Sequence, residues 1–200
     1  MKFHFANHFR GLIYGVAVLI ASMAPAHAAD ADSAVMLVAT PALSDPIYKA
    51  TVLIARPMND GIVGFIVNKP TRMTLAQAFP EHGPSKKVSD PIYLGGPERL
   101  NTLFALVQSE QSPGKGSMQL AADLFLVLSG ETVDRVIEHD PGHARFLFGV
   151  VIWQPGELDS EIKRGAWYVE RPETDLIMGK EPGKLWEKLV QRLQSRRGAV

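Results

Sequence analysis

From residue 35 onward, short blocks rich in Val, Ile, Leu and Phe alternate with Gly, Pro, Asn and Asp. Six such blocks, at 35–40, 50–56, 61–67, 102–108, 124–128 and 145–153, predict β-strands. Met58-Asn59-Asp60-Gly61 lies between two of them and predicts a tight hairpin, because Asn, Asp and Gly tolerate positive φ. The run from Phe146 to Trp153 (FLFGVVIW) is apolar almost without interruption, the pattern of a strand covered on both faces.

Helical spacing is sparser. Over 131–139, Val133, Val136 and Ile137 recur at i, i+3 and i+4, and Asp140-Pro141-Gly142 ends the run. The segment 157–164 opens with Glu157, Asp159 and Glu161, closes with Lys163 and Arg164 and is followed by Gly165. Its charges complement a helix dipole, and the glycine suits a left-handed cap. Leu158 and Ile162 share its apolar face, placing them in the core with Trp153 and Trp167. Over 182–196, Leu185, Trp186, Leu189, Val190 and Leu193 fall on one side. Strands mixed with short helices, without a βαβ rhythm, predict one α+β domain, and 108–117 (QSEQSPGKGS) reads as its most flexible loop.

The first residues follow a different pattern. Lys2 and Arg10 precede an uncharged apolar run over 11–24, and Ala26-His27-Ala28 offers small residues where a signal peptidase cuts. Residues 1–28 therefore read as a secretory signal peptide, 29–34 as a flexible lead-in, 35–194 as the folded domain and 195–200 as a C-terminal tail. The apolar run is shorter than a bilayer span and is closed by Pro25, so a membrane anchor is the weaker reading. The expectation is a periplasmic or secreted protein with no integral membrane segment after processing.

Composition narrows the chemistry. The 200-residue chain has 21 basic and 21 acidic residues, and loss of Lys2 and Arg10 with the leader leaves 19 against 21. A near-neutral chain lacks the field that grips a nucleic-acid backbone. With no cysteine, disulfides, thiolate zinc sites, iron–sulfur clusters and cysteine nucleophiles are excluded. Three histidines, His82, His139 and His143, remain past residue 28; Pro141-Gly142 separates the last two, so they do not share a helical face as metal ligands would. Signatures of α/β-hydrolases, P-loop enzymes and dinucleotide binders are lacking, and no cofactor is expected.

Four motifs stand out: Leu43-Ser44-Asp45-Pro46; Asn59-Asp60-Gly61 through Gly64 to Asn68-Lys69-Pro70; Gly95-Gly96-Pro97; and Trp153-Gln154-Pro155-Gly156-Glu157-Leu158 continuing through Glu161-Ile162 to Ala166-Trp167. In this order and spacing they resemble the AlgH/YqgE family of bacterial proteins, over essentially the whole chain past the leader. The resemblance implies an α+β fold with a bifurcated, mostly antiparallel sheet curled into a partial barrel and flanked by helices. It also implies a family without a settled biochemical activity, often labelled transcriptional regulator. This chain departs from the family pattern at Pro57-Met58, where a His is usual, at Gly156-Glu157-Leu158-Asp159, where Gly-Gln-Leu-Glu is usual, in its C-terminal residues 194–200, and in its exported N-terminus.

Seven residues are candidates for ligand binding: Asp45, Asp60, Asn68, Lys69, Gly95, Gly96 and Glu157. Gly95-Gly96 could offer backbone N–H groups to an anion or be a plain turn. Lys69 could meet a ligand, or Asn68-Lys69-Pro70 could be a strand end with Asn68 bonding its own backbone and Pro70 stopping the strand. Asp45 and Asp60 could converge with Glu157 or Glu161 for acid–base chemistry or a hard cation, or each could serve its own turn or helix end. Lys184, Lys188, Arg192 and Arg196 form a basic stripe, either a docking face for an anionic partner or a solvated surface. The favoured reading is a non-enzymatic binding or regulatory domain acting after export on an unknown protein or small molecule. The alternatives are a hydrolase using Asp and Glu side chains and a transcriptional regulator.

Overall fold

The structure, a computed structural model, describes residues 33–59 and 61–198. The expected leader, most of the lead-in and Asp60 lie outside the described residues. The strands are β1 (Val35–Ala39), β2 (Val52–Met58), β3 (Gly61–Ile66), β4 (Pro70–Thr74), β5 (Pro91–Leu94), β6 (Glu98–Gln108), β7 (Ser117–Ala121), β8 (Leu124–Val127), β9 (Ala144–Trp153) and β10 (Trp167–Glu170). The helices are α1 (Leu75–Ala78), α2 (Gly130–His139), α3 (Glu157–Lys163), α4 (Thr174–Ile177) and α5 (Leu185–Gly198).

The strands run β10-β1-β2-β3-β9-β6-β8-β7, and β4 and β5 branch off at β9. One edge of β9 is shared. Its C-terminal half pairs with β3 (Gly64↔Val151), and its N-terminal half accepts β5 in a parallel pairing (Tyr93↔Leu147), while its other edge pairs with β6. The remaining pairings are antiparallel. Curling brings the far strand back toward β2, where the Arg56 guanidinium donates to the Gln119 carbonyl of β7. This is the bifurcated, curled α+β sheet that the family resemblance implies.

Alternation along each strand explains why the apolar runs are unbroken. In β1, Met36 and Val38 point into a core completed by Ile177 of α4 and by Leu185, Leu189 and Leu193 of α5. Leu37 and Ala39 point the other way, to Leu158 of α3, Trp153 and Trp167. Beneath α2, Val133, Val136 and Ile137 pack on Ala105, Val107 and Phe146. Both faces are therefore dry, as the 146–153 run predicts.

Met58 pairs with Gly61, the register a tight hairpin requires, and Asn59 takes φ +53°. Pro70 opens β4 where the sequence suggested that it would end a strand; β4 pairs only with β5, so the missing proline N–H costs the inner ladder nothing. The last helix continues to Gly198, into the expected tail, with Arg196 of its final turn 3.4 Å from Glu170.

Candidate functional site

At the C-terminal end of β9 the chain leaves the sheet through Gln154-Pro155 and turns into α3. Gly156, at φ +81°, is the residue before the helix, a conformation that favours glycine. Glu157 reaches back so that its Oε2 accepts the Gln154 N–H at 2.7 Å, and Ser160 Oγ donates to the Gly156 carbonyl at 2.8 Å. The first bond gives the Gln154 N–H, which has left the sheet, an acceptor, and the second adds a hydroxyl donor to a carbonyl that already accepts the Ser160 N–H at 3.0 Å. Leu158 is buried beside the face that carries Glu157, in the cluster with Leu37, Trp153 and Trp167, and fixes the roll of the helix.

One turn after Glu157, on the same face, stands Glu161. Its Oε2 accepts two indole N–H groups, from Trp153 at 3.1 Å and from Trp167 at 2.7 Å. A buried indole needs an acceptor and a half-buried carboxylate needs donors, so each satisfies the other. Oε1 of Glu161 has no hydrogen-bond partner among the described residues.

The facing wall comes from the loop between β1 and β2. Asp45 Oδ1 accepts the N–H groups of Ile47 (2.8 Å) and Tyr48 (3.1 Å), a turn that sets the Tyr48 ring edge-on to Trp167 at 6.1 Å. Burial, then the negative charges of Glu161, Asp45 and Glu98, push the Tyr48 hydroxyl above its ordinary pKa, so at neutral pH it is a donor. Between the walls lies an open cleft of about 660 Å³ lined by Tyr48, Trp153, Glu157, Ser160, Glu161 and Arg164, among others.

Asn68 and Lys69 hold the loop of this cleft from behind. Asn68 is 4% exposed; its Oδ1 accepts the Val52 N–H at 2.8 Å and its Nδ2 donates to the Ala50 carbonyl at 3.0 Å. It thus ties the end of β3 to the loop carrying Tyr48, where the sequence reading had it bonding its own backbone. Lys69 Nζ donates to the Lys49 carbonyl at 3.1 Å in the same loop, and burial lowers its pKa. Gly95 and Gly96 are buried against β9: the Gly95 N–H donates to the Phe148 carbonyl at 2.7 Å, and a Cβ on Gly96 would lie 2.2 Å from the Val150 carbonyl carbon. Close backbone crossing accounts for these glycines, and the Gly95 N–H is already used.

Of the seven candidate residues, then, Glu157 lines the cleft, Asp45 orders its far wall, Asn68 and Lys69 tie down the loop behind, and Gly95 and Gly96 pack elsewhere on β9. Asp60 lies outside the described residues. Among the described residues no group of three or more His, Asp or Glu side chains is arranged to hold a metal ion. Sequence reasoning missed Tyr48 and the shared acceptor role of Glu161. Only the i, i+4 spacing of Glu157 and Glu161 hinted that both face one way.

In the basic stripe of Lys184 and α5, three of the four cations are paired. Arg192 pairs with Glu173 at 2.5 Å, Lys184 with Glu181 at 2.5 Å and Arg196 with Glu170. Among the described residues no helix is long and apolar enough to cross a membrane.

Comparison with known proteins bears on this arrangement. A family model described as AlgH-like matches residues 36–197. A UPF0301 protein of Anaeromyxobacter dehalogenans is 32% identical over 168 residues, covering 78% of this chain and 85% of its own. One from Methylococcus capsulatus is 32% identical over 160 residues, covering 78% and 87%. Two solved structures share the fold. The solution structure of the AlgH protein from Pseudomonas aeruginosa superposes with a TM-score of 0.66 at 22% identity, over 80% of this chain and 87% of that one. The crystal structure of protein DIP2367 from Corynebacterium diphtheriae gives 0.66 at 20% identity, over 80% and 86%.

Proposed function

Since this chain belongs to the AlgH-like family, we propose that it is a non-enzymatic binding domain of that fold, working after export, whose ligand site is the cleft between α3 and the β1–β2 loop. The observation that carries this reading is the Glu161 carboxylate. Two tryptophans fix one oxygen, and the other is left without a partner among the described residues, at the wall of a cleft with aromatic sides. A carboxylate held rigidly in advance loses little entropy when it engages a ligand. The group that suits it is a cation with N–H donors, an amine or guanidinium, with the Tyr48 and Trp153 rings beside it. Arg164, with no carboxylate partner among the described residues, leaves a place at the rim for a polar or anionic part of the same ligand.

Binding is favoured over acid–base hydrolysis because Asp45 and Glu157 are each engaged by local backbone N–H groups. The mostly paired basic stripe gives little support to a nucleic-acid regulator. Export rests on the zones of residues 1–28. Cell fractionation with N-terminal sequencing tests it: a mature protein in the periplasm or medium beginning at Ala29 is expected, and full-length chain confined to the cytosol would contradict it. Titration with putrescine and with arginine methyl ester, followed by tryptophan emission, tests the cleft.

A further inference from the structure

Arg145, near the start of β9, is 8% exposed. Its Nη1 donates to the carbonyls of Val67 (3.1 Å) and Ile177, its Nη2 donates to the Gly179 carbonyl at 3.0 Å, and the guanidinium lies 4.5 Å from the centre of the Tyr93 ring. The bonds to Ile177 and Gly179 satisfy carbonyls around the C-terminal end of α4, which explains where the side chain sits. They do not neutralise it. A buried cation is costly unless an anion accompanies it, and among the described residues no carboxylate lies within ion-pair distance of Arg145.

Beside this unpaired charge is a cleft of about 540 Å³, sharing no lining residue with the α3 cleft. Its walls include Arg145, Tyr93, Lys180 and Asp90. Lys180 is exposed and makes no ion pair among the described residues, and the Tyr93 hydroxyl, on a buried ring, has no hydrogen-bond partner there either. Two cations and a free phenol therefore stand against one exposed carboxylate at the rim. We propose that this cleft is an oxyanion site, taking a phosphate or carboxylate group between Lys180 and the Arg145–Tyr93 pair. Guanidinium, ammonium and hydroxyl are the donors that such groups accept from, and a ligand anion would supply at contact distance the counter-charge that Asp90 supplies to Arg145 only from beyond ion-pair range.

Isothermal titration calorimetry of the folded chain with sodium phosphate and with sodium acetate, each at one fixed ionic strength, tests this and identifies the group. Saturable binding of phosphate assigns the site to phosphate esters or free phosphate, and saturable binding of acetate alone assigns it to carboxylates. Lys180→Ala should weaken the binding about three- to tenfold and Tyr93→Phe should weaken it too, whereas Lys188→Ala on α5 should leave it unchanged. Absence of saturable binding with both anions, or equal weakening by Lys180→Ala and Lys188→Ala, would overturn the proposal. Neither Lys180 nor Lys188 is buried, so both variants keep the fold intact for the comparison.

Discussion

Trp153 and Trp167, the last residue of β9 and the first of β10, donate their indole N–H groups to the same oxygen of Glu161. The two strands are not neighbours in the sheet, so this shared acceptor joins α3 to both and closes one wall of the cleft. Replacing Glu161 with Leu should leave two buried indole N–H groups unsatisfied and cost about 2–4 kcal/mol, whereas Glu161→Gln, which keeps an acceptor, should cost less. Urea unfolding of both variants checks the order; equal losses would mean that the indoles do not depend on the carboxylate.

Trp167 is 5% exposed, packed on Tyr48 and bonded to Glu161, so Trp167→Ala should cost about 3–5 kcal/mol. A variant that melts with the parent would show that the ring is not part of the core.

Gly149 carries φ +81° in the middle of β9, and a Cβ there would lie 2.2 Å from the Gly96 carbonyl oxygen. Gly149→Ala should therefore lose about 2–4 kcal/mol by clash and backbone strain together. Gly142→Ala, with nothing within 4 Å of its Cβ, is the control and should change stability little. If the two melt alike, the close crossing of β9 is not as described.

This crossing marks a limit of the sequence. The run 146–153 announces a buried strand, and a glycine inside it signals that another backbone comes near, yet which one is a matter of tertiary structure. Four strands lie outside the six predicted blocks, β4, β5, β7 and β10; β5, with four residues, and β7, with five, are short. Pro70-Thr-Arg-Met-Thr is short and mostly exposed, and β10 is four residues long with Val169 exposed, so neither shows the apolar density of a core strand. The i, i+4 face of α3 was legible because helix geometry is local. Its meeting with Tyr48 was not, because that contact depends on the pairing of β1 with β10.

Asp123 joins the β7–β8 turn to α4: Thr174 Oγ1 donates to its Oδ1 at 2.5 Å and Gln108 Nε2 to its Oδ2 at 3.0 Å. These bonds, Thr174 first, hold its carboxyl below the ordinary carboxylate pKa. A depressed folded pKa gives stability that is present above the unfolded value and lost as pH falls through the folded one. Below about pH 4 the parent should therefore lose Tm more steeply than Asp123→Asn. Parallel curves would show that the carboxylate adds no acid-sensitive stability.

Asp45 and Glu157 serve separate backbone N–H groups, so Asp45→Ala and Glu157→Ala, which remove the acceptors, should each cost about 0.5–2 kcal/mol and combine additively to within about 0.5 kcal/mol. Strong non-additivity, or stabilisation by a divalent metal that either substitution abolishes, would mean that the acids act as one site.

If the Glu161 carboxylate is a preformed receptor for a cationic group, a titration of tryptophan emission with arginine methyl ester in the parent and in Glu161→Gln shows it most plainly. Two of the three tryptophans of the chain bond to Glu161, so occupancy of the cleft should be visible in their emission. The parent should give a saturable change, and Glu161→Gln, whose uncharged amide retains the shape of the site, should bind at least about tenfold more weakly. No saturable change in the parent, or equal affinity in a folded Glu161→Gln, would contradict that receptor role.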